Sequence, residues 1–240
     1  MALKSKSGKL AVVTGGSKGI GAGLVHEFAS QGYDVVTYAR NEALLSNLKD
    51  NIEQSYGVTV LTKKVDAASV REVQNFGDFV VGLGREVSVL INNAGYFLPG
   101  NTETEAEGTL RQMLAVNLES AYELTRKLLP SMKKAGRGDI FNICSVASLK
   151  AYPQGGSYGI AKTALMGFNR NLREETKAHG IRVTAVYPGA TLTDSWAGSG
   201  LPDNRFMPVE DIAKAIWSCH TLSSRTVVEE LILRPQLGDI

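Results

Sequence analysis

Short runs of apolar and β-branched residues recur along the chain with longer amphipathic stretches between them, and no other feature limits its fold so tightly. Strands separated by helix-length segments pair in parallel through crossover connections, so the alternation predicts an α/β fold with a doubly wound parallel sheet. Seven runs read as strands: 10–14, 35–38, 58–65, 87–91, 139–144, 181–187 and 228–233. Most are apolar at consecutive positions, as strands covered on both faces must be. Between them, residues 105–134 place Leu110, Met113, Leu114, Leu118, Ala121, Leu124 and Leu128 on a helical period, and residues 158–177 do the same less cleanly with Tyr158, Leu165, Phe168 and Leu172. Both predict helices.

A chain of 240 residues with 43% apolar content is long enough to bury a continuous core, and residues 1–240 read as one domain. With 21% charged residues and a formal charge of +2, it is neither compositionally disordered nor basic enough to take nucleic acid as its main partner. Cys144 and Cys219 have no CxxC or Cys/His spacing, which predicts free thiols, no metal site and a cytoplasmic setting. The longest uncharged stretch, 87–102, is broken by asparagines, glycines and a proline, and falls short of the ~18 apolar residues of a membrane span. Lys4, Lys6 and Lys9 precede no apolar segment of signal-peptide length, so no secretory signal is expected.

After the first strand comes Thr14-Gly15-Gly16-Ser17-Lys18-Gly19-Ile20-Gly21, opening into a helical run. Glycines in that context let the backbone turn tightly and approach a pyrophosphate, which the positive end of the next helix stabilises. The end of the second strand, where an acid would read a free ribose 2′-hydroxyl, holds Ala39 and Arg40. A guanidinium there suits a 2′-phosphate, and Lys18 adds a second cation, so NADP is expected over NAD.

Further along, Tyr158 and Lys162 stand four residues apart, one above the other on a helix face. An ammonium ~5 Å from a phenol at an effective dielectric of ~20 is worth about 3 kcal/mol, roughly two pKa units toward phenolate. The pair gains meaning from its company. Asn92-Asn93-Ala94-Gly95 ends the fourth strand, Asn117 interrupts a helical apolar stripe, Ser145 follows the fifth strand, and Pro188-Gly189 follows the sixth.

In this order and on this framework, the set resembles the short-chain dehydrogenase/reductase family over essentially the whole chain. The resemblance implies a Rossmann fold of about seven parallel strands in the order 3-2-1-4-5-6-7, with helices on both faces. It implies that Tyr158 is the acid/base, that Lys162 lowers its pKa and holds the nicotinamide ribose, that Ser145 polarises the substrate carbonyl, and that Asn117 supports a water relay behind the lysine. Gly15, Ser17, Lys18, Gly19, Ile20, Gly21 and Arg40 would hold the pyrophosphate and 2′-phosphate. Asp66 would lie near the adenine, Asn92 and Ala94 near the adenosine ribose, and Pro188 and Thr193 at the carboxamide.

The activity these roles imply is NADPH-dependent reduction of a small ketone or aldehyde, reversible as alcohol dehydrogenation. A reductase of acyl-carrier β-ketoacyl thioesters is the alternative. A dinucleotide-binding sensor without turnover is a third reading, disfavoured because it has no use for Ser145, Tyr158 and Lys162. The turn-rich segment 190–207 is expected to be a short substrate loop around an open pocket, with Trp196, Leu201 and Phe206 as walls. Family resemblance also implies a homo-oligomer, a dimer or tetramer built on the two long helices that begin near Glu105 and Gln154.

Overall fold

The computed structural model describes residues 8–240; Lys4 and Lys6 lie outside the described residues. Seven parallel strands form one sheet in the order β3-β2-β1-β4-β5-β6-β7, as the alternation and the resemblance predict. They are β1 (Leu10–Thr14), β2 (Asp34–Ala39), β3 (Val60–Lys64), β4 (Val87–Asn92), β5 (Gly138–Ile143), β6 (Ile181–Pro188) and β7 (Glu230–Leu233). Interleaved are α1 (Gly19–Ser30), α2 (Glu42–Tyr56), α3 (Val70–Gly82), α4 (Thr109–Leu114), α5 (Ser120–Ala135), α6 (Gly156–Thr176) and α7 (Val209–His220).

Successive strand side chains point to opposite faces, so each strand feeds two cores. Ala11 and Val13 join Phe28 of α1, Ile52 of α2 and Ile212 and Ile216 of α7 on one side. Leu10 and Val12 join Phe76 of α3, Leu124 and Leu128 of α5 and Leu172 of α6 on the other. Each of these side chains larger than alanine contributes about 1.5–3 kcal/mol by leaving water. This two-sided burial is why the strands read as unbroken apolar runs.

The long helix expected over 105–134 begins later, at Thr109, and is interrupted by a π-helical turn over Ala115–Glu119 that joins α4 to α5. Asn117 sits in the middle of that turn. Its amide donates to the carbonyl of Met113 at 3.2 Å and to that of Tyr96 at 3.2 Å, so a side chain takes over bonding that an unbroken helix would supply itself.

At the amino end of the sheet, Asp139 is buried between the Arg182 guanidinium and the His220 ring, whose other nitrogen lies 2.7 Å from the Tyr33 hydroxyl. Arg182 also donates to the carbonyls of His220 and Leu222, tying the end of α7 to β5 and β6. The catalytic candidates sit at the opposite, carboxyl end. Among the described residues no helix is long and apolar enough to cross a membrane.

Candidate active site

The strand order reverses direction at β1, which pairs with β2 on one side and β4 on the other. The chains leaving β1 and β4 therefore diverge and open a crevice. Thr14 holds its two lips together, its hydroxyl accepting the N–H groups of Asn93 and Ala94 at 2.8 Å each, while the Asn93 amide donates to the Thr14 carbonyl at 2.8 Å.

The resulting cleft has a volume of about 1290 Å³. Gly15, Ser17, Lys18, Gly19, Ile20, Gly21, Arg40, Asp66, Ala94, Ser145, Tyr158, Lys162, Pro188 and Thr193 all line it. Residues separated by most of the chain thus meet where the sequence places them.

The glycine turn is built for close backbone approach. A Cβ on Gly21 would lie 2.2 Å from the Gly15 carbonyl oxygen, so a side chain there is sterically barred. Helix α1, which follows, has no side-chain cap and no acid in its first turn, whereas α2 is capped by Asn41 and α3 by Ser69. The first-turn N–H groups of α1 are therefore left to face the cleft, the arrangement that receives a pyrophosphate. With Arg40 exposed at its rim, the cleft fits a nicotinamide dinucleotide bearing a 2′-phosphate. Lys18, which also lines the cleft, pairs its ammonium with Asp194 of the segment after β6.

On the opposite wall, Ser145 caps the short 3-10 turn Val146–Ser148. Its hydroxyl accepts the Ala147 N–H at 3.1 Å, which leaves its own proton free to donate. Ser148, unremarked in the sequence, accepts the Ser145 N–H at 3.3 Å and donates to the carbonyl of Lys162 at 2.9 Å, coupling the Ser145 turn to α6. The Lys162 ammonium donates to the Ile143 carbonyl at 2.8 Å and lies 5.8 Å from the centre of the Tyr158 ring.

Burial pulls the Lys162 ammonium down to about 8. Burial likewise pushes the partly buried Tyr158 phenol up, with the Ser145 hydroxyl pulling it back and Cys144 adding to the rise. The expected two-unit fall is thus not produced by the chain alone. A lysine committed to the Ile143 carbonyl and itself short of solvent does not offset the loss of water around the phenol.

One expected contact does not reach the cleft. Asn92 is 3% exposed, and its amide donates to the Thr125 hydroxyl at 2.9 Å and to Asn142 at 2.8 Å, so its side chain braces the sheet instead of facing a ribose. Asn117 is 1% exposed and stands behind the wall, its Oδ1 buried without a partner. A Cβ on Gly95 would meet that oxygen at 2.6 Å and the Lys162 ammonium at 3.2 Å, so both groups border the same point. Of the expected substrate walls, Trp196 lines the cleft, but Leu201 does not, and Phe206 is buried behind, its ring tilted against that of Trp196 with centroids 5.4 Å apart.

Sequence reasoning missed Phe97, Tyr152, Gln154 and Asp239, which also line the cleft. Phe97 meets the Tyr158 ring edge-on at 5.0 Å, and the Tyr152 hydroxyl donates to Asp239 at 2.6 Å. Only the proximity of Tyr152 to Tyr158 in sequence hinted at any of them.

Residues 9–202 match the short chain dehydrogenase family model. The chain belongs to that family. It is 30% identical to a sepiapterin reductase of Chlorobaculum tepidum over 239 residues, covering 95% of this chain and 97% of the relative. An alcohol dehydrogenase from the archaeon Thermococcus sibiricus, complexed with 5-hydroxy-NADP, superposes with a TM-score of 0.89 at 28% identity, over 97% of this chain and 98% of the other. The L-sorbose reductase of Gluconobacter frateurii, complexed with NADPH and L-sorbose, superposes with a TM-score of 0.88 at 26% identity, over 98% of each chain.

Proposed function

We propose that this oxidoreductase uses NADPH to reduce the carbonyl of a small ketone or aldehyde, and runs in reverse as an alcohol dehydrogenase. One observation carries the reading: Ser145, Tyr158 and Lys162 line the same cleft as the uncapped glycine turn and Arg40. The bound cofactor would supply hydride to the carbonyl carbon. Ser145 Oγ, its lone pair taken by the Ala147 N–H, donates its proton toward the carbonyl oxygen. Tyr158, kept protonated by burial, gives its phenolic proton to that oxygen. Lys162, anchored on the Ile143 carbonyl, stabilises the phenolate left behind.

NADP preference is supported by Arg40 at the cleft rim and by the NADP and NADPH complexes among the structural relatives. A cytoplasmic, single-domain homo-oligomer is part of the same reading, its self-association supported by the exposed apolar residues Leu110, Tyr122 and Ile160 on α4, α5 and α6. Turnover of NADPH with ketones, aldehydes and β-ketoacyl thioesters, followed by absorbance for the native chain and Tyr158→Phe, tests the assignment. A native chain that reduces carbonyls and a variant that does not are expected. Equal turnover by the two would remove Tyr158 from the chemistry, and a preference for thioesters would replace the small carbonyl as substrate.

A further inference from the structure

Helix α6 carries Tyr158 in its first turn, so whatever fixes the start of that helix fixes the phenol. The approach to it is strained. Among the described residues Gln154 is the one non-glycine with a positive φ, 59°, and Gly156 follows at 28°. A turn of this kind persists only when its surroundings hold it.

The holding group comes from the loop after β4. Glu105 Oε1 accepts the Ser157 N–H at 2.9 Å, and Oε2 accepts the Ser157 hydroxyl. A carboxylate on the open N–H groups of a helix start is favoured by charge as well as by hydrogen bonding. Space for it is built in from both sides. A Cβ on Gly156 would sit 2.1 Å from Glu105 Oε1, and one on Gly100 would sit 2.6 Å from Glu105 Cγ.

The same loop is pinned to the turn a second time, by the Gly100 N–H on the Gln154 carbonyl at 2.9 Å. Glu105 is itself oriented through its own N–H on the Asn101 carbonyl at 2.9 Å. Phe97, on that loop too, packs edge-on against the Tyr158 ring at 5.0 Å. One loop therefore grips both the backbone beside Tyr158 and its ring.

We propose that Glu105 is a positioning residue for proton transfer: by holding both polar groups of Ser157, it sets where the adjacent Tyr158 hydroxyl stands in the cleft. Glu105 does not line the cleft. It acts through Ser157, which is 3% exposed. The inference rests on the reading of Tyr158 as proton donor.

The test compares Glu105→Ala, Glu105→Gln and Ser157→Ala with the native chain and with Tyr158→Phe, measuring kcat, carbonyl KM, NADPH affinity by fluorescence and thermal midpoint. Small misplacements of reacting groups lower rates steeply. Glu105→Ala is expected to lose about 10- to 100-fold in kcat while NADPH affinity stays within about twofold. Glu105→Gln, which keeps an acceptor for the Ser157 N–H, is expected to recover part of the loss.

Native kcat in Glu105→Ala overturns the proposal. So does a fall in kcat and NADPH affinity together with no recovery in Glu105→Gln, which marks a general loss of structure. Should Glu105→Ala not fold, Glu105→Gln and Ser157→Ala decide by the same split. Turnover surviving in Tyr158→Phe would sink the proton-donor reading, whereas an inert Tyr158→Phe beside a native-like Glu105→Ala sinks the positioning role alone.

Discussion

The Ser148 hydroxyl donates to the backbone carbonyl of Lys162 at 2.9 Å while accepting the N–H of Ser145 at 3.3 Å. One buried side chain thus joins the turn that presents Ser145 to the helix that presents Lys162 and Tyr158. Removing it strands a buried donor and slackens the spacing between the two elements. Ser148→Ala is expected to lower unfolding free energy by about 1–3 kcal/mol and to lower kcat more than carbonyl KM. Denaturant titration and steady-state kinetics check both; an unchanged kcat would show that the two elements keep their spacing without it.

Lys162 makes stability depend on pH in a defined direction. Its pKa falls from 10.5 to about 8 on burial, so between those values the unfolded chain binds the proton more tightly. Unfolding free energy therefore rises with pH across this window, by as much as roughly 3 kcal/mol when the window is crossed completely. The penalty of the buried charge is present in full below about 8 and relieved above it. Urea unfolding of the native chain and Lys162→Met at neutral and alkaline pH isolates this contribution, the native chain gaining on the variant as pH rises. A constant difference would refute it. Carbonyl reduction is expected to decline through the same region as the ammonium is lost.

Arg40 is expected to govern cofactor choice. Losing a charge-assisted pair to a 2′-phosphate corresponds to about 1.5–3 kcal/mol, or roughly 10- to 100-fold. Arg40→Ala should therefore weaken kcat/KM for NADPH by that factor and leave NADH nearly unaffected. Equal losses with both cofactors would place the phosphate elsewhere.

Two glycines are expected to respond oppositely to alanine. At Gly21 the added methyl meets the rigid Gly15 carbonyl at 2.2 Å, so Gly21→Ala must distort the turn and is expected to abolish NADPH binding, as titration calorimetry would show. At Gly167, exposed in the interior of α6, nothing lies within 4 Å. There alanine removes only backbone freedom, and Gly167→Ala is expected to stabilise by about 0.5–1 kcal/mol in thermal unfolding. Destabilisation at Gly167 would contradict that prediction.

The sheet was legible because strands such as β1 and β4, buried on both faces, are apolar at most of their positions, and apolar runs are visible in one dimension. The end of each strand then told where polar residues would gather, which is how Ser145 and Tyr158 come together although they belong to different elements. Asn92 was misread because a polar residue at a strand's end can turn inward as easily as outward; its bonds to Thr125 and Asn142 come from α5 and β5, partners that no local pattern announces. Glu105 and Phe97 escaped for a related reason. They act across a loop whose path is set by tertiary contact with residues 154–157, not by any periodicity. The π-turn was hinted at only by Asn117 breaking the apolar stripe, since an extra residue in a helix leaves no compositional mark.

The segment that follows β6 is pinched shut at its base, where Thr191 pairs with Met207, and α7 beyond it is moored to the far rim of the sheet by Asp139, Arg182 and His220. Both ends of the segment stay tied whatever happens between them. With both anchors outside that stretch, residues there can be swapped, added or trimmed without a strand or helix having to shift; under the proposed reading of 190–207 as the substrate loop, a lineage built on this frame would trade one guest molecule for another by rewriting a single short passage of its chain.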